Sequence, residues 1–288
     1  MQNTKMDIYD IFAYYQDEGF YYKYIPEKML NYINKKYEIP TEESIIAFLH
    51  CGFKTGLCFT EKGVYWKLFG QGKGKGKGSF SWEFLKKIDH FKIEKDELYL
   101  NNEKVLMIAG TSYPPNDLVK LLEEIKRNYI EHQDFLTLNT SNICDFSINI
   151  ENVLRICSTF KGNEDCLLCT MLNVDIRTSD SLSDKTRISL MKKNNLGEDE
   201  KLIAYVNTYM GIGTNGITIT EKGVFFSKEF LSIYFPWHVF KQISFVYNNE
   251  NKELIINDRI VMNLSCSIIE ANDIFLFLQQ LQKQLYNP

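Results

Sequence analysis

The sequence lacks several features that would place it in a familiar class of protein. Its apolar runs, such as Ile274–Leu278, fall far short of the ~20 residues that a membrane-spanning helix needs. The first residues show no basic region followed by an apolar stretch, so we expect no signal peptide. There is no basic excess either, because the formal net charge is −4. We therefore expect no nucleic-acid ligand.

The cysteines lack the pattern of a disulfide framework. There are seven, an odd number, scattered along the chain and mostly inside apolar runs. Such cysteines are typical of reduced thiols inside a cell, so we predict a cytoplasmic protein. Those considered for a metal site are Cys144, Cys157, Cys166 and Cys169, of which the last two have the spacing of half a zinc site. Because the other gaps match no common zinc module, we favour buried thiols and predict no metal and no cofactor.

Catalytic patterns are also missing. The four histidines do not stand at the spacing of metal ligands or of a catalytic triad. Neither Gly-x-Ser-x-Gly nor His-Glu-x-x-His occurs, and no nucleophile has a base at a recognisable spacing. We therefore predict that the protein is not an enzyme.

The sequence does contain an internal repeat. Thr60–Val64 and Thr220–Val224 both read Thr-Glu-Lys-Gly-Val. This pentapeptide predicts a β-hairpin in which the glycine takes a positive φ, in a type I turn followed by a bulge. A strand predicted at 80–84 follows, and its Trp82 corresponds to Trp237 in the second copy. Tryptophans at matching positions predict a shared core.

The repeat divides the chain into predicted segments: N-terminal helices at 1–38, a first domain at 39–132, a helical connector at 133–196 and a second domain at 197–288. In each domain, short strands precede one amphipathic helix. The connector is too apolar for a flexible linker and shows helical spacing around Val153 and Cys157. We expect it to pack on one or both domains.

The order of strands and helix is that of the pleckstrin-homology (PH) superfold, and the residues resemble the bacterial PH-like domains. Gly216–Phe226 is similar to their glycine-initiated hairpin with Thr-Glu-Lys, and Phe235–Ile243 is similar to the strand that follows. The resemblance implies an α+β fold of two tandem PH-like domains, each a bent antiparallel sheet or partly closed barrel capped by a C-terminal helix. In phosphoinositide-binding relatives a basic loop holds the ligand. The corresponding loop here, His50–Gly56, offers only Lys54.

Functional residues are expected where the two copies differ. In copy one, lysines alternate with glycines in Gly70–Gly78, and such an open basic segment can attract phosphate groups or an anionic membrane. The candidate ligands of phosphate or lipid are Lys54, Lys67, Lys73, Lys75 and Lys77. Copy two is apolar where copy one is polar, which favours contact with a partner. The candidate partner-binding residues are Phe230, Ile233, Tyr234, Phe275, Leu276 and Phe277.

The favoured hypothesis is a non-catalytic adaptor that recognises a protein partner or associates with itself. Two alternatives stay open. One is peripheral membrane or phosphate-ligand binding through the Gly-Lys hairpin, and the other is an effector or immunity role in a bacterial defence or toxin system.

Overall fold

The structure is a computed structural model of the 288-residue chain. The described residues are 7–23, 25–52, 55–67, 76–131, 148–160, 177–179, 182–197, 200–208, 215–228, 231–265, 267 and 269–286. The chain divides into two compact units, residues 1–143 (unit 1) and 144–288 (unit 2). Both contain helices and antiparallel sheets, which confirms the α+β class predicted from the sequence.

Unit 1 begins with helix α1 (Ile8–Tyr14), strand β1 (Phe20–Tyr22) and helix α2 (Glu27–Lys36). Its other elements are β2 (Ile45–His50), β3 (Gly56–Thr60), β4 (Gly63–Lys67), β5 (Lys77–Ser81), a 3-10 helix (Trp82–Lys87), β6 (Phe91–Glu94), β7 (Glu97–Leu100), β8 (Glu103–Met107) and α3 (Pro115–Glu131). The strand predicted at 80–84 is therefore wrong beyond Ser81. The chain turns into the 3-10 helix at Trp82, whose indole N–H binds carbonyl oxygens of the preceding hairpin.

Unit 2 repeats this order, beginning with α4 (Ile150–Thr159), β9 (Arg177–Thr178) and α5 (Asp184–Lys193). Its other elements are β10 (Leu202–Asn207), β11 (Gly216–Thr220), β12 (Gly223–Lys228), β13 (Leu231–Pro236), α6 (Trp237–Phe240), β14 (Phe245–Asn248), β15 (Glu253–Ile256), β16 (Ile260–Asn263) and α7 (Ala271–Tyr286). The described part of the segment interpreted as a connector thus supplies a helix, a strand and a second helix of unit 2. The structural repeat includes these elements as well as the strands with the repeated motifs.

Each unit contains two antiparallel sheets. The larger sheet has five strands in sequence order, β1 to β5 in unit 1 and β9 to β13 in unit 2. The smaller sheet has three strands, β6 to β8 or β14 to β16. Among the described strands, none pairs from the larger sheet to the smaller one, so they form no closed barrel.

Both faces of the larger sheet in unit 1 are covered. One face carries residues such as Ala47 and Phe59, which join α1, α3 and the buried Trp82 in the main core. The opposite face carries Phe48 and Cys58, which pack against α2 and Tyr37. This arrangement follows from the alternation of side chains along a strand, which places neighbouring residues on opposite faces.

A hydrogen-bonded turn joins β3 to β4. The hydroxyl oxygen of Thr60 accepts hydrogen bonds from the backbone N–H groups of Lys62 and Gly63, and it donates to Glu43 Oε2 at 2.7 Å. The indole N–H of Trp82 donates to the carbonyl oxygen of Thr60 at 3.1 Å. The turn is thereby joined to Glu43, which precedes β2, and to the 3-10 helix that follows β5.

The same bonds recur between β11 and β12. The Thr220 hydroxyl oxygen accepts from the Gly223 N–H and donates to Glu200 Oε1 at 2.8 Å, and the Trp237 indole N–H donates to the Thr220 carbonyl oxygen at 3.1 Å. Trp82 and Trp237 are both buried, which confirms their predicted place in the core. Because both units make these bonds, we assign the repeated motif to the fold and not to a ligand.

Glycine is required in this turn for a reason other than the predicted one. Neither Gly63 nor Gly223 has a positive φ, so that prediction is wrong. A Cβ atom at Gly63 would lie 2.1 Å from the carbonyl oxygen of Phe80, and one at Gly223 would lie 2.3 Å from that of Phe235. Glycine is needed because the neighbouring strand passes directly against it.

The two units differ in the polar residue that follows α2 or α5 and faces the larger sheet. In unit 2 the side chain of Asn194 donates to Thr218 and accepts from Ser227 and Ser232, on three neighbouring strands. In unit 1 the repeat places Tyr37 at this position. Its hydroxyl is buried and has no hydrogen-bond partner among the described residues. Burial raises the pKa of this hydroxyl, which keeps it neutral.

The first prediction concerns the repeated turn. We expect Thr220→Val to lower the free energy of unfolding of unit 2 by about 2 kcal/mol, because buried N–H groups and the Glu200 carboxylate lose their partner. Urea denaturation followed by circular dichroism measures the change. Thr41→Val, at an exposed threonine, is the control and should change stability by less than about 0.5 kcal/mol. Equal stabilities of the two variants would contradict the assigned role.

The second prediction concerns the helix-covered face. Tyr37→Phe removes a buried hydroxyl without a partner, so we expect the free energy of unfolding to stay equal or to rise by up to about 2 kcal/mol. Asn194→Ala at the corresponding position should lower it by about 3 kcal/mol, because the hydroxyls of Thr218, Ser227 and Ser232 lose the amide that joins them. The same denaturation experiment compares them. A clear loss of stability in Tyr37→Phe would show that the hydroxyl is bonded.

Candidate functional site

The lysines predicted to bind phosphate or an anionic surface are only partly described. Lys54, Lys73 and Lys75 lie outside the described residues. Lys67 and Lys77 stand directly opposite each other on β4 and β5. Lys77 therefore belongs to a strand, although the sequence analysis placed it in the Gly-Lys hairpin.

Both described lysines have partners within unit 1. Nζ of Lys67 donates to the hydroxyl of Tyr32 at 2.5 Å and lies 4.9 Å from the centroid of its ring. Lys77 forms an ion pair with Glu38. Like charges directly opposite each other in a strand pair are destabilising, and these contacts offset the repulsion. Phosphate binding through these lysines stays a prediction.

Of the cysteines considered for a metal site, only Cys157 is described, and Cys144, Cys166 and Cys169 lie outside the described residues. Cys157 is buried on α4, and burial raises the pKa of its thiol to about 12. The thiol is therefore protonated near neutral pH. Within the described residues, no group of three or more His, Cys, Asp or Glu side chains could hold a metal ion.

The apolar residues predicted to bind a partner separate into buried and accessible groups. Ile233, Tyr234 and Phe277 are buried in unit 2. The hydroxyl of Tyr234 donates to the backbone carbonyl of Lys222, and burial raises its pKa. These three side chains are part of the core and are not available to a partner at the surface. Phe230 lies outside the described residues.

Helix α7 shows why neighbouring residues differ in access. Its buried stripe consists of Ile274, Phe277, Leu278, Leu281 and Leu285. Leu276 falls outside this stripe and is 45% exposed. Phe275 lies at the margin, where its ring stacks on Tyr247 of β14 with centroids 6.3 Å apart and an interplanar angle of 29°. Phe275 is therefore an accessible apolar residue beside β14, and Leu276 is exposed on the outer side of α7.

A second exposed apolar group lies on the outer face of the small sheet in unit 2. Val246 of β14 stands opposite Ile255 of β15, and Ile255 stands opposite Val261 of β16, so the three form a row across the sheet. Val246 and Val261 are 46% and 40% exposed. These residues are not among those predicted from the sequence. The signal that could have found them is an apolar residue in the outward phase of all three strands.

Strand β14 connects the two groups, because Val246 faces the outer side of the sheet and Tyr247 faces α7. We call the combined surface the β14 surface. Its members are Val246, Tyr247, Ile255, Val261, Phe275 and Leu276. Single exposed apolar residues are normal on proteins, whereas several of them on and around one strand make that strand a candidate interaction site.

Unit 1 carries lysine at three of the six corresponding positions. The row across its small sheet is Lys92, Tyr99 and Lys104, and both lysines form ion pairs with glutamates of the same sheet. On α3, the repeat places Lys120 where unit 2 has Leu276, and Lys120 pairs with an aspartate of its own helix. The fold therefore does not require apolar residues at these positions.

Comparison of the chain with family models, with curated proteins and with solved structures finds no match. In the part of the chain that the structure describes, no helix is both long enough and apolar enough to cross a lipid bilayer.

The third prediction separates the β14 surface from the core. We expect Leu276→Lys to change the free energy of unfolding by less than about 0.5 kcal/mol, because the side chain is half in solvent and unit 1 carries lysine there. Phe277→Ala, one residue further, should lower it by about 3–5 kcal/mol through the cavity it creates. Urea denaturation compares the two. Similar losses in both variants would mean that Leu276 belongs to the core.

Proposed function

We propose that the chain is a non-catalytic binding protein built of two PH-like units, in which the β14 surface of unit 2 binds a protein partner. The observation that carries this proposal is the difference between the units. At corresponding positions of one fold, unit 1 carries ion-paired lysines and unit 2 carries exposed aliphatic side chains.

The PH-like assignment is supported by the order of elements in each unit. Four antiparallel strands, β2 to β5 or β10 to β13, precede three more, β6 to β8 or β14 to β16, and one long helix ends the unit. This is the order that the sequence resemblance implies. Each unit adds one strand to the edge of its larger sheet, β1 or β9, and two helices around that strand.

The apolar groups can supply only part of a binding free energy. Fully burying an exposed Val or Leu side chain contributes roughly 1.5–3 kcal/mol. Val246, Val261 and Leu276 are already about half buried, so together they would contribute about 2–4 kcal/mol. A micromolar complex needs about 8 kcal/mol. The partner must therefore also make hydrogen bonds or further contacts with unit 2.

The other hypotheses stay predictions. Attraction of an anionic surface rests mainly on lysines outside the described residues, and a role in bacterial defence or toxin systems rests on no contact described above. A cytoplasmic location and self-association likewise stay predictions.

The fourth prediction tests the β14 surface with matched variants. The double variant Val246→Lys/Leu276→Lys replaces two exposed aliphatic residues by the residue type that unit 1 carries there. Ile188→Lys, at a 64% exposed residue of α5, makes the same chemical change elsewhere in unit 2. We expect wild type and Ile188→Lys to recover the same protein partner from a lysate of the source cells, and the double variant to recover it at least about tenfold less.

The recovered partner would then be purified and its Kd for each variant measured by calorimetry. An equal Kd for the double variant and for Ile188→Lys would overturn the proposed site. Failure of the wild type to retain any partner that depends on Val246 and Leu276 would count against protein binding through this surface.

A further inference from the structure

We propose that Lys193 is a modification site, at which the side-chain amine takes the acyl group of a small activated donor, an acyl phosphate or a thioester. Lys193 ends α5, and its side chain contacts Asn215, which directly precedes β11. The site uses none of the residues of the β14 surface and does not depend on the function proposed above.

The amine of Lys193 is held by an uncharged partner. Nζ donates a hydrogen bond to Oδ1 of Asn215 at 2.7 Å. The backbone carbonyl of Asn215 accepts in turn from the hydroxyl of Tyr205 at 2.8 Å and from the N–H of Thr208 at 3.3 Å. Among the described residues, no carboxylate forms an ion pair with this amine. Lys193 is therefore fixed in place without a negative charge beside it.

This environment changes the protonation of the amine. The side chain of Lys193 is half-buried, and burial disfavours the charged form of a lysine when no anion compensates it. Burial accordingly lowers the pKa of this amine to about 8. The C-terminal end of α5 favours a positive charge, but by less than burial opposes it. Because a pKa lower by one raises the neutral fraction about tenfold near neutral pH, Lys193 offers a free electron pair far more often than a solvated lysine does.

Unit 1 lacks this arrangement, so the fold does not require it. Lys36 holds the corresponding position at the end of α2 and is exposed. Thr55 stands where unit 2 has Asn215, and its hydroxyl donates to backbone carbonyls of its own loop. Phe48 stands where unit 2 has Tyr205 and has no hydroxyl that could hold the loop. The partly desolvated lysine is therefore a feature that one copy has added.

The acyl transfer needs only the amine and the donor. The neutral Nζ attacks the carbonyl carbon of the acyl group, the bond from this carbon to phosphate or to sulfur breaks, and Nζ loses one proton as the amide forms. The leaving phosphate or thiolate keeps the electron pair of the broken bond. Because the side chain is only half-buried, a small donor can approach it. The product is uncharged, so acylation removes a cation from the start of β11.

Acetylation of the full-length protein by acetyl phosphate tests the proposal. Lys192 is the control within the same chain, because it precedes Lys193 on α5 and is exposed. Mass spectrometry of proteolytic peptides, taken at low extents of reaction near neutral pH, gives the rate at each lysine. We expect Lys193 to react at least about tenfold faster than Lys192 in the folded protein. In concentrated urea the two rates should become equal, because unfolding returns both side chains to solvent.

A matched variant tests the role of the uncharged partner. Asn215→Asp retains an oxygen in contact with Nζ and adds a carboxylate, which favours the charged amine. We expect the rate at Lys193 to fall at least about tenfold in this variant and the rate at Lys192 to stay the same. Circular dichroism checks that the variant is folded, and if it is not, the comparison of folded and unfolded wild type decides alone.

Three results would overturn the proposal. The first is an equal rate at Lys192 and Lys193 in the folded wild type. The second is a preference for Lys193 that persists in urea, because the preference would then come from the local sequence and not from burial. The third is an unchanged rate at Lys193 in a folded Asn215→Asp variant.

Discussion

The fold of each unit depends on one threonine hydroxyl. In the turn between the third and fourth strands of the larger sheet, the hydroxyl of Thr60 or Thr220 binds turn N–H groups and a glutamate that precedes the second strand. The tryptophan that follows the sheet binds the carbonyl of the same threonine. Buried polar groups are costly without partners, so this closed set of bonds fixes the ends of three strands relative to one another. The identical string in both copies is therefore explained by the fold.

Much of this architecture could be predicted from periodicity and repetition. The spacing around Val153 and Cys157 predicted α4, and matching tryptophans predicted the buried positions. The strand β9, with two residues, is too short for any alternation to reveal it. The reason for Gly63 was also beyond sequence reasoning, because the close approach of Phe80 depends on strand pairing.

The candidate surface was predicted only in part, for a related reason. The excess of apolar residues in copy two was visible in the sequence, but it does not reveal which of these residues face solvent. Phe277 and Leu276 are neighbours, and their position relative to the buried stripe of α7 decides that one is core and the other is surface. Each of the three strands shows an apolar residue in its outward phase, but the row from Val246 to Val261 follows only from the register of the strands. Equivalent positions in the two units separate the residues that the fold requires from those that one copy has added.

The extra strand at the edge of each larger sheet determines where the chain can be divided. β9 pairs with β10, and the residue after α5 bonds to three strands of the same sheet. A fragment that starts at β10 would lose an edge strand and uncover a whole face of its sheet, including hydroxyls that Asn194 satisfies. An independently folding second half must therefore start ahead of α4, and a proteolytic cut between α5 and β10 would be expected to leave two pieces that remain associated.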